Sequence, residues 1–246
     1  MPALLQPRLN ILVLSPHRDD AAFSLALTLS SWLRAGHTVT LLNAFTRSLD
    51  APFSDADFLH ENDRLSYVSA MRKKEDEAFL RQLPGLTLVD ANIKDGPLRL
   101  HCYPEVIYDI PLDPNDGALV KIRKSLTRHL AQPNPAFVLP LGLGNHIDHR
   151  VAREAAQAIV ADLPCAFYED LPDAFRLPET PTQPNLTPIY TQSPNPLAWK
   201  RKAILLYNSQ IQEDTADQIL DHARAHHDSE RLWANDSFAA LTQVQQ

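Results

Sequence analysis

Cysteine is nearly absent. Cys102 and Cys165 are the only two in 246 residues, and their unrelated contexts without CxxC spacing leave no basis for a disulfide framework or a thiolate zinc site. A reducing, cytoplasmic compartment is the matching expectation. Basic charge is scarce too: 23 Lys and Arg stand against 30 Asp and Glu in no obvious block, so the net charge of -7 offers no footprint for nucleic acid or an anionic membrane. No stretch approaches the roughly 20 apolar residues of a membrane helix, and the N-terminal apolar run meets histidine and charge too early for a signal peptide. The expectation is a soluble protein acting on a small neutral or polar molecule. Glycine is missing from the first strand-to-helix turn, and Gly142 and Gly144 are followed by Ile147 where a third glycine would be needed. Both observations argue against a dinucleotide-binding fingerprint.

What is present is a hydrophobic fraction of 44%, enough for one sizeable core, and a single domain over 1–246 is expected. Residues 10–15 (NILVLS) are a β-favouring run. They are followed by polar PHRDD and by an apolar segment at helical spacing that stops at Gly36. Residues 37–45 (HTVTLLNAF) read as a second buried strand, completing a right-handed βαβ unit with parallel strands. A charged helix over 64–83 places Val68, Arg72, Glu75, Phe79 and Leu83 on one face. Strands are predicted at 86–91, 136–142 and 165–170, with helices over 116–131 and 151–163. The segment 172–196 carries seven prolines and is expected to be irregular, a lid or a plain connector, with an edge strand at 186–191. From Leu197 onward two helices are expected, broken near 209–213. The whole reads as an α/β fold, a Rossmann-like three-layer sandwich with a mostly parallel sheet and its site beyond the carboxyl ends of the strands.

Two clusters belong at that edge. His17, Asp19 and Asp20 follow the first strand, an unfavourable place to crowd ionisable groups unless a cation compensates them. An alternative is that both aspartates cap the following helix. Asn145, His146, Asp148 and His149 follow a later strand and open a helix. A catalytic zinc takes three protein ligands and keeps an open position, which His17, Asp20 and His149 would supply, leaving His146 and Asp148 for supporting or acid work. A phosphatase-like magnesium site would account for the aspartates but not the histidines, since imidazole suits zinc, copper, iron or nickel.

PHRDDAAFS, followed about 130 residues later by HIDH, resembles the PIG-L/LmbE-like family of N-acetylglucosaminyl deacetylases. FTRS after the second strand, Arg72 with Glu75, and AILLYNSQ near the C-terminus extend the resemblance over roughly residues 10–211. It implies a metal-dependent N-deacetylase in which His17, Asp20 and His149 bind Zn2+, with Fe2+ as the alternative metal, and Asp19 is the general base. By the same resemblance His146 serves the oxyanion or the leaving amine, and Asp148 orients His146 or a ligand. The implied substrate is an N-acetylated amino sugar or glycoconjugate. Two departures stand out: Ala21 replaces the usual Glu, and Arg18 the usual Pro. Gly144 stands where some members have a mobile tyrosine.

Arg47 and Arg72 are candidate substrate contacts, although an ion pair between Arg72 and Glu75 bracing the site loops is the stronger expectation. His222, His226 and His227 have metal-binding spacing but no third ligand nearby in sequence, so a solvated helical face is expected. Tyr168, Glu169 and Asp170 are candidates for the pocket wall. A non-catalytic, sugar- or partner-binding descendant of the fold remains the alternative function, and a homo-oligomer is left open.

Overall fold

The computed structural model describes residues 8–160 and 162–242. Strands β1 (Asn10–Ser15) and β2 (Thr38–Asn43) flank helix α1 (Asp20–Arg34), and α2 (Glu61–Gln82) leads to β3 (Thr87–Asp90). A short helix α3 (Gly96–Leu100) and the longer α4 (Gly117–Leu130) precede β4 (Pro135–Pro140), α5 (Ile147–Val160) and β5 (Cys165–Tyr168). Then come β6 (Thr187–Thr191), α6 (Leu197–Ile204), α7 (Glu213–Ala225), β7 (Glu230–Ala234) and α8 (Asp236–Thr242). No helix among the described residues is long and apolar enough to cross a membrane.

The strands form one sheet in the order β3-β2-β1-β4-β5-β7-β6. The first five run parallel, while β7 is antiparallel to both β5 and β6. Continuous apolar sequence in β1 and β4 is what a strand covered on both faces requires, and every residue from Ile11 to Ser15 and from Ala136 to Pro140 is buried. Right-handed crossovers place the helix after β1 and those flanking β4 on opposite faces. Consistently, α4 packs on α5, whereas α1 packs on α6 and α7. Truncating a core residue such as Leu14 to alanine would cost about 2–5 kcal/mol. The order of strands reverses between β1 and β4, so the crevice of such a sheet opens beyond those two strand ends.

Helix α1 stops where its sequence says it should. Gly36 takes φ +84°, its N–H bonds to Leu33 O, and the His37 N–H bonds to Trp32 O, a Schellman closure that a left-handed glycine permits. In mid-helix the N–H groups of Leu27 and Thr28 donate to the buried carboxylate of Glu230, which also takes Lys200 Nζ at 2.5 Å. Helix α5 begins at Ile147 rather than at Val151, with Arg150 N–H closing onto His146 O at 3.1 Å, so Asp148 and His149 lie in its first turn. The predicted edge strand exists as β6. The chain from Leu197 onward departs from expectation, because β7 and α8 follow the two predicted helices and β7 sits inside the sheet.

Candidate metal centre and active site

The glycine-free turn after β1 is shaped by Ser15. Its hydroxyl donates to His17 O at 2.6 Å and accepts the Ala21 N–H at 3.2 Å, while the His17 N–H bonds to Asp20 Oδ2 at 2.7 Å. Neither aspartate caps α1. Asp19 occupies the cap position without a side-chain capping bond, and Asp20 turns back toward His17.

This loop and the start of α5 bring three donor atoms together. His17 Nδ1 lies 3.5 Å from Asp20 Oδ2, His149 Nε2 lies 3.4 Å from the same oxygen, and the two nitrogens are 3.3 Å apart. Ligands about 2.0–2.1 Å from a tetrahedral zinc are separated by roughly 3.3–3.4 Å, so the triangle has the size of one face of such a site. The opposite nitrogens are held by carboxylates: His149 Nδ1 by Asp170 Oδ1 at 2.7 Å, and His17 Nε2 by Asp148 Oδ2 at 3.1 Å. In the singly protonated form that arrangement would turn each ring's lone pair toward the centre. The carboxylates are themselves anchored. Asp170 accepts the Leu143 N–H at 2.9 Å, and Asp148 accepts Gly96 N–H and Arg99 Nη1, each at 2.8 Å. His17, His146 and Asp148 are also close enough to share an ion. Asp148 is already engaged on both oxygens, which makes His17, Asp20 and His149 the better set.

The electrostatics favour positive charge at the centre of the cluster. Burial opposes charge on both ligand histidines, yet Asp148 and Asp20 hold His17 well above the usual imidazole range, and Asp20 with Asp170 pushes His149 up to about 9. Asp20 is drawn down by the two histidines against the effect of its burial. Asp19 is raised by burial, with Arg72 pulling the other way through a 2.8 Å bond from Nη2 to Oδ1. His146 is held well below its ordinary value by burial and by the neighbouring His17 and His149. Its Nδ1 accepts the Asp148 N–H at 3.2 Å, so the neutral ring carries its proton on Nε2.

A cavity of about 290 Å³ opens over this centre, lined by His17, Asp19, Asp20, Arg72, His146, Asp148 and His149 from the two motifs and the long helix. Arg47 is not part of the lining. Its main chain pairs with the 93–95 segment, and the neighbouring Ser48 faces the cavity instead. The expected Arg72–Glu75 pair does not form. Arg72 turns to Asp19, and Glu75 accepts the N–H and hydroxyl of Ser209, each at 2.9 Å, tying α2 to the YNSQ segment.

Tyr108 and Asp173 line the wall without belonging to either motif, whereas Gln210, also in the wall, closes the AILLYNSQ segment. Tyr108 packs edge-on against His146 with ring centroids 5.4 Å apart, and burial followed by the charge of Asp173 pushes its phenol up to about 12. Asp173 opens the proline-rich segment, which divides: Pro172 and Asp173 reach the cavity, while 187–191 pairs with β7. Gly144 has φ +75°, and a Cβ there would meet Asp173 O at 2.2 Å, so this backbone admits no tyrosine at that position. Arg18 finds its compensation in Asp76 and in Asp90, the latter at 2.7 Å, and Ala21 is fully buried.

Residues 12–160 match the family model described as PIG-L, GlcNAc-PI de-N-acetylase. A 2'-N-acetylparomamine deacetylase from Niallia circulans is 26% identical over 189 residues, 68% of each chain. Among solved structures, the zinc-inhibited form of the teicoplanin deacetylase Orf2 is similar with a TM-score of 0.71 at 21% identity, covering 92% of this chain and 97% of that one. The A40926 pseudoaglycone deacetylase Dbv21 is similar at 0.69 and 23% identity, covering 93% and 97%.

Proposed function

We propose, because this chain belongs to the PIG-L family, that it is a metal-dependent amide hydrolase removing acetyl from an N-acetylated amino sugar or glycoconjugate. The observation that carries the reading is the triangle of His17, Asp20 and His149 at the floor of the cavity, each imidazole backed by a carboxylate. A zinc-type ion held by these three would supply Lewis acidity at the acetyl carbonyl; ferrous iron suits the same donors.

The chain's own residues then have separate tasks. Asp19, raised by burial yet kept beside Arg72, accepts a proton from the attacking water as its oxygen bonds to the carbonyl carbon. His146 is neutral and protonated on Nε2, which suits a hydrogen bond to the oxyanion as it forms. When the C–N bond breaks, Asp19 returns the proton to the leaving amine, giving acetate and a free amino group. Asp148 acts through His17, and Asp170 through His149, as positioning residues. Arg72 holds the base through Nη2 and also lines the cavity, where it can meet a substrate group. The lining also includes Asp50, Asp95 and Asp173, which suit hydroxyl or ammonium donors and disfavour anionic substrates.

The test is acetate release from a panel of N-acetylated amino sugars by zinc- or iron-reconstituted protein, with His149→Ala as control. Turnover that depends on the ion and disappears in the variant is expected. Sugar binding without acetate release would favour a non-catalytic descendant of the fold.

A further inference from the structure

The last turn of α7 was expected to present its histidines to solvent. His222 and His226, four residues apart and so on one helical face, are instead half-buried against the end of β5, where the buried Glu169 supplies the third group. His222 Nε2 lies 2.7 Å from Glu169 Oε2, and the two imidazoles stand perpendicular with centroids 4.7 Å apart. One donor atom from each of the three lies within 4.8 Å of the others. His226 Nε2 is buried and has no hydrogen-bond partner, an unfavourable state for an imidazole nitrogen unless something binds there.

The carboxylate is already oriented. Its other oxygen, Oε1, takes Arg231 Nε at 2.6 Å, Arg231 Nη2 at 2.5 Å and Trp233 Nε1 at 3.1 Å, leaving Oε2 as the oxygen turned to the histidines. Ligating carboxylates are commonly held by such outer partners. Phe175 packs on His222 and Tyr190 on His226, with centroids 5.8 and 5.7 Å apart. The adjoining void, lined by Glu169 and His222 but not by His226, is only about 10 Å³, too small for a substrate. Two imidazoles and one carboxylate form a donor set for a transition metal rather than for magnesium or calcium.

We propose that Glu169, His222 and His226 form a second site for a divalent transition-metal ion, distinct from the cavity centre, fastening the C-terminal turn of α7 to the end of β5. The test uses the full chain, stripped with chelator, reloaded with Zn2+ or Co2+ alone and assayed for metal per chain. Two equivalents are expected in the wild type. His149→Ala should keep the second equivalent and lose the first; His222→Ala with His226→Ala should do the reverse. With Co2+, the visible absorption remaining in His149→Ala should vanish when His226→Gln is added, a milder change whose fold is checked by circular dichroism. A wild-type stoichiometry of one, lost in His149→Ala and untouched by the histidine pair, would overturn the second site and leave the first intact. Two equivalents persisting in the His222/His226 double variant would overturn it as well.

Discussion

Glu169 and Asp170 are neighbours at the end of β5, yet they serve different structures. Asp170 reaches His149 in the cavity, whereas Glu169 reaches His222 on α7. Successive side chains leave an extended chain on opposite faces, and here one carboxylate turns toward α5 and the other toward α7. Both sides assemble two imidazoles and a carboxylate. They differ in room and in charge. The Asp170 side opens into about 290 Å³ with carboxylates behind both ligand rings, and the Glu169 side adjoins about 10 Å³ with Arg231 behind its carboxylate. Space for a substrate beside the ion, more than ligand chemistry, separates a candidate catalytic centre from a structural one.

The largest expected effect tests what the cavity adds. Asp19→Asn should lower turnover by about 10²- to 10⁴-fold, the usual loss of a general base, while metal content is unchanged. Turnover near the wild type would remove Asp19 from that role. Asp20→Ala, in contrast, should release the metal bound at the cavity centre.

Next comes the dependence on pH, because only an empty site titrates. In metal-free protein the folded-state pKa of His149 is about 9, against 6.5 for an unperturbed histidine. A raised histidine stabilises the fold fully below the unfolded value, and that stability is lost as pH rises through the folded one. For His149 the loss between about pH 6.5 and 9 is on the order of 3 kcal/mol, with His17 acting in the same sense. Bound metal excludes that proton, so loaded protein should not show the decline, and its affinity for the ion should rise over the same range. Denaturant titrations of chelated and loaded protein at both pH values decide it. Parallel losses in the two forms would mean that the ion does not bind at His149 and His17.

How much of this was legible in advance follows the same division. β1, β2, β4 and β5 announce themselves as apolar runs too continuous for one-sided burial, and the two motifs at their ends could be placed at one edge without knowing the strand order. β7 was not legible. Its sequence ERLWA begins with two charged residues, and Glu230 is buried only because Lys200 from α6 and two N–H groups of α1 meet it, partners no local pattern predicts. The same limit explains Arg72. Helical spacing put it on one face with Glu75, but periodicity does not say that Asp19 and Ser209 would claim them separately. His222 and His226 had legible spacing, and their third group lies 53 residues away from His222.

The last prediction sets the neighbours on β5 against each other. Asp170→Asn keeps a hydrogen-bond acceptor behind His149 Nδ1 but removes the negative charge that makes the ring a stronger ligand. Loss of such an outer partner typically weakens metal binding about 10- to 100-fold. Turnover in this variant should recover toward the wild type as metal concentration is raised, since no group that touches the substrate has changed. Glu169→Gln keeps oxygen and shape but removes the charge that His222 and Arg231 share. If the two sides are independent, its effect on the first equivalent of metal should stay within about twofold, as for distant sites that share no partner. Competition with a chromophoric chelator measures both affinities on one scale. Equal weakening by the two variants would mean that strain at Glu169 passes through the adjacent peptide to Asp170, and that the two clusters behave as one site. A silent Asp170→Asn would instead show that His149 holds its orientation from α5 alone.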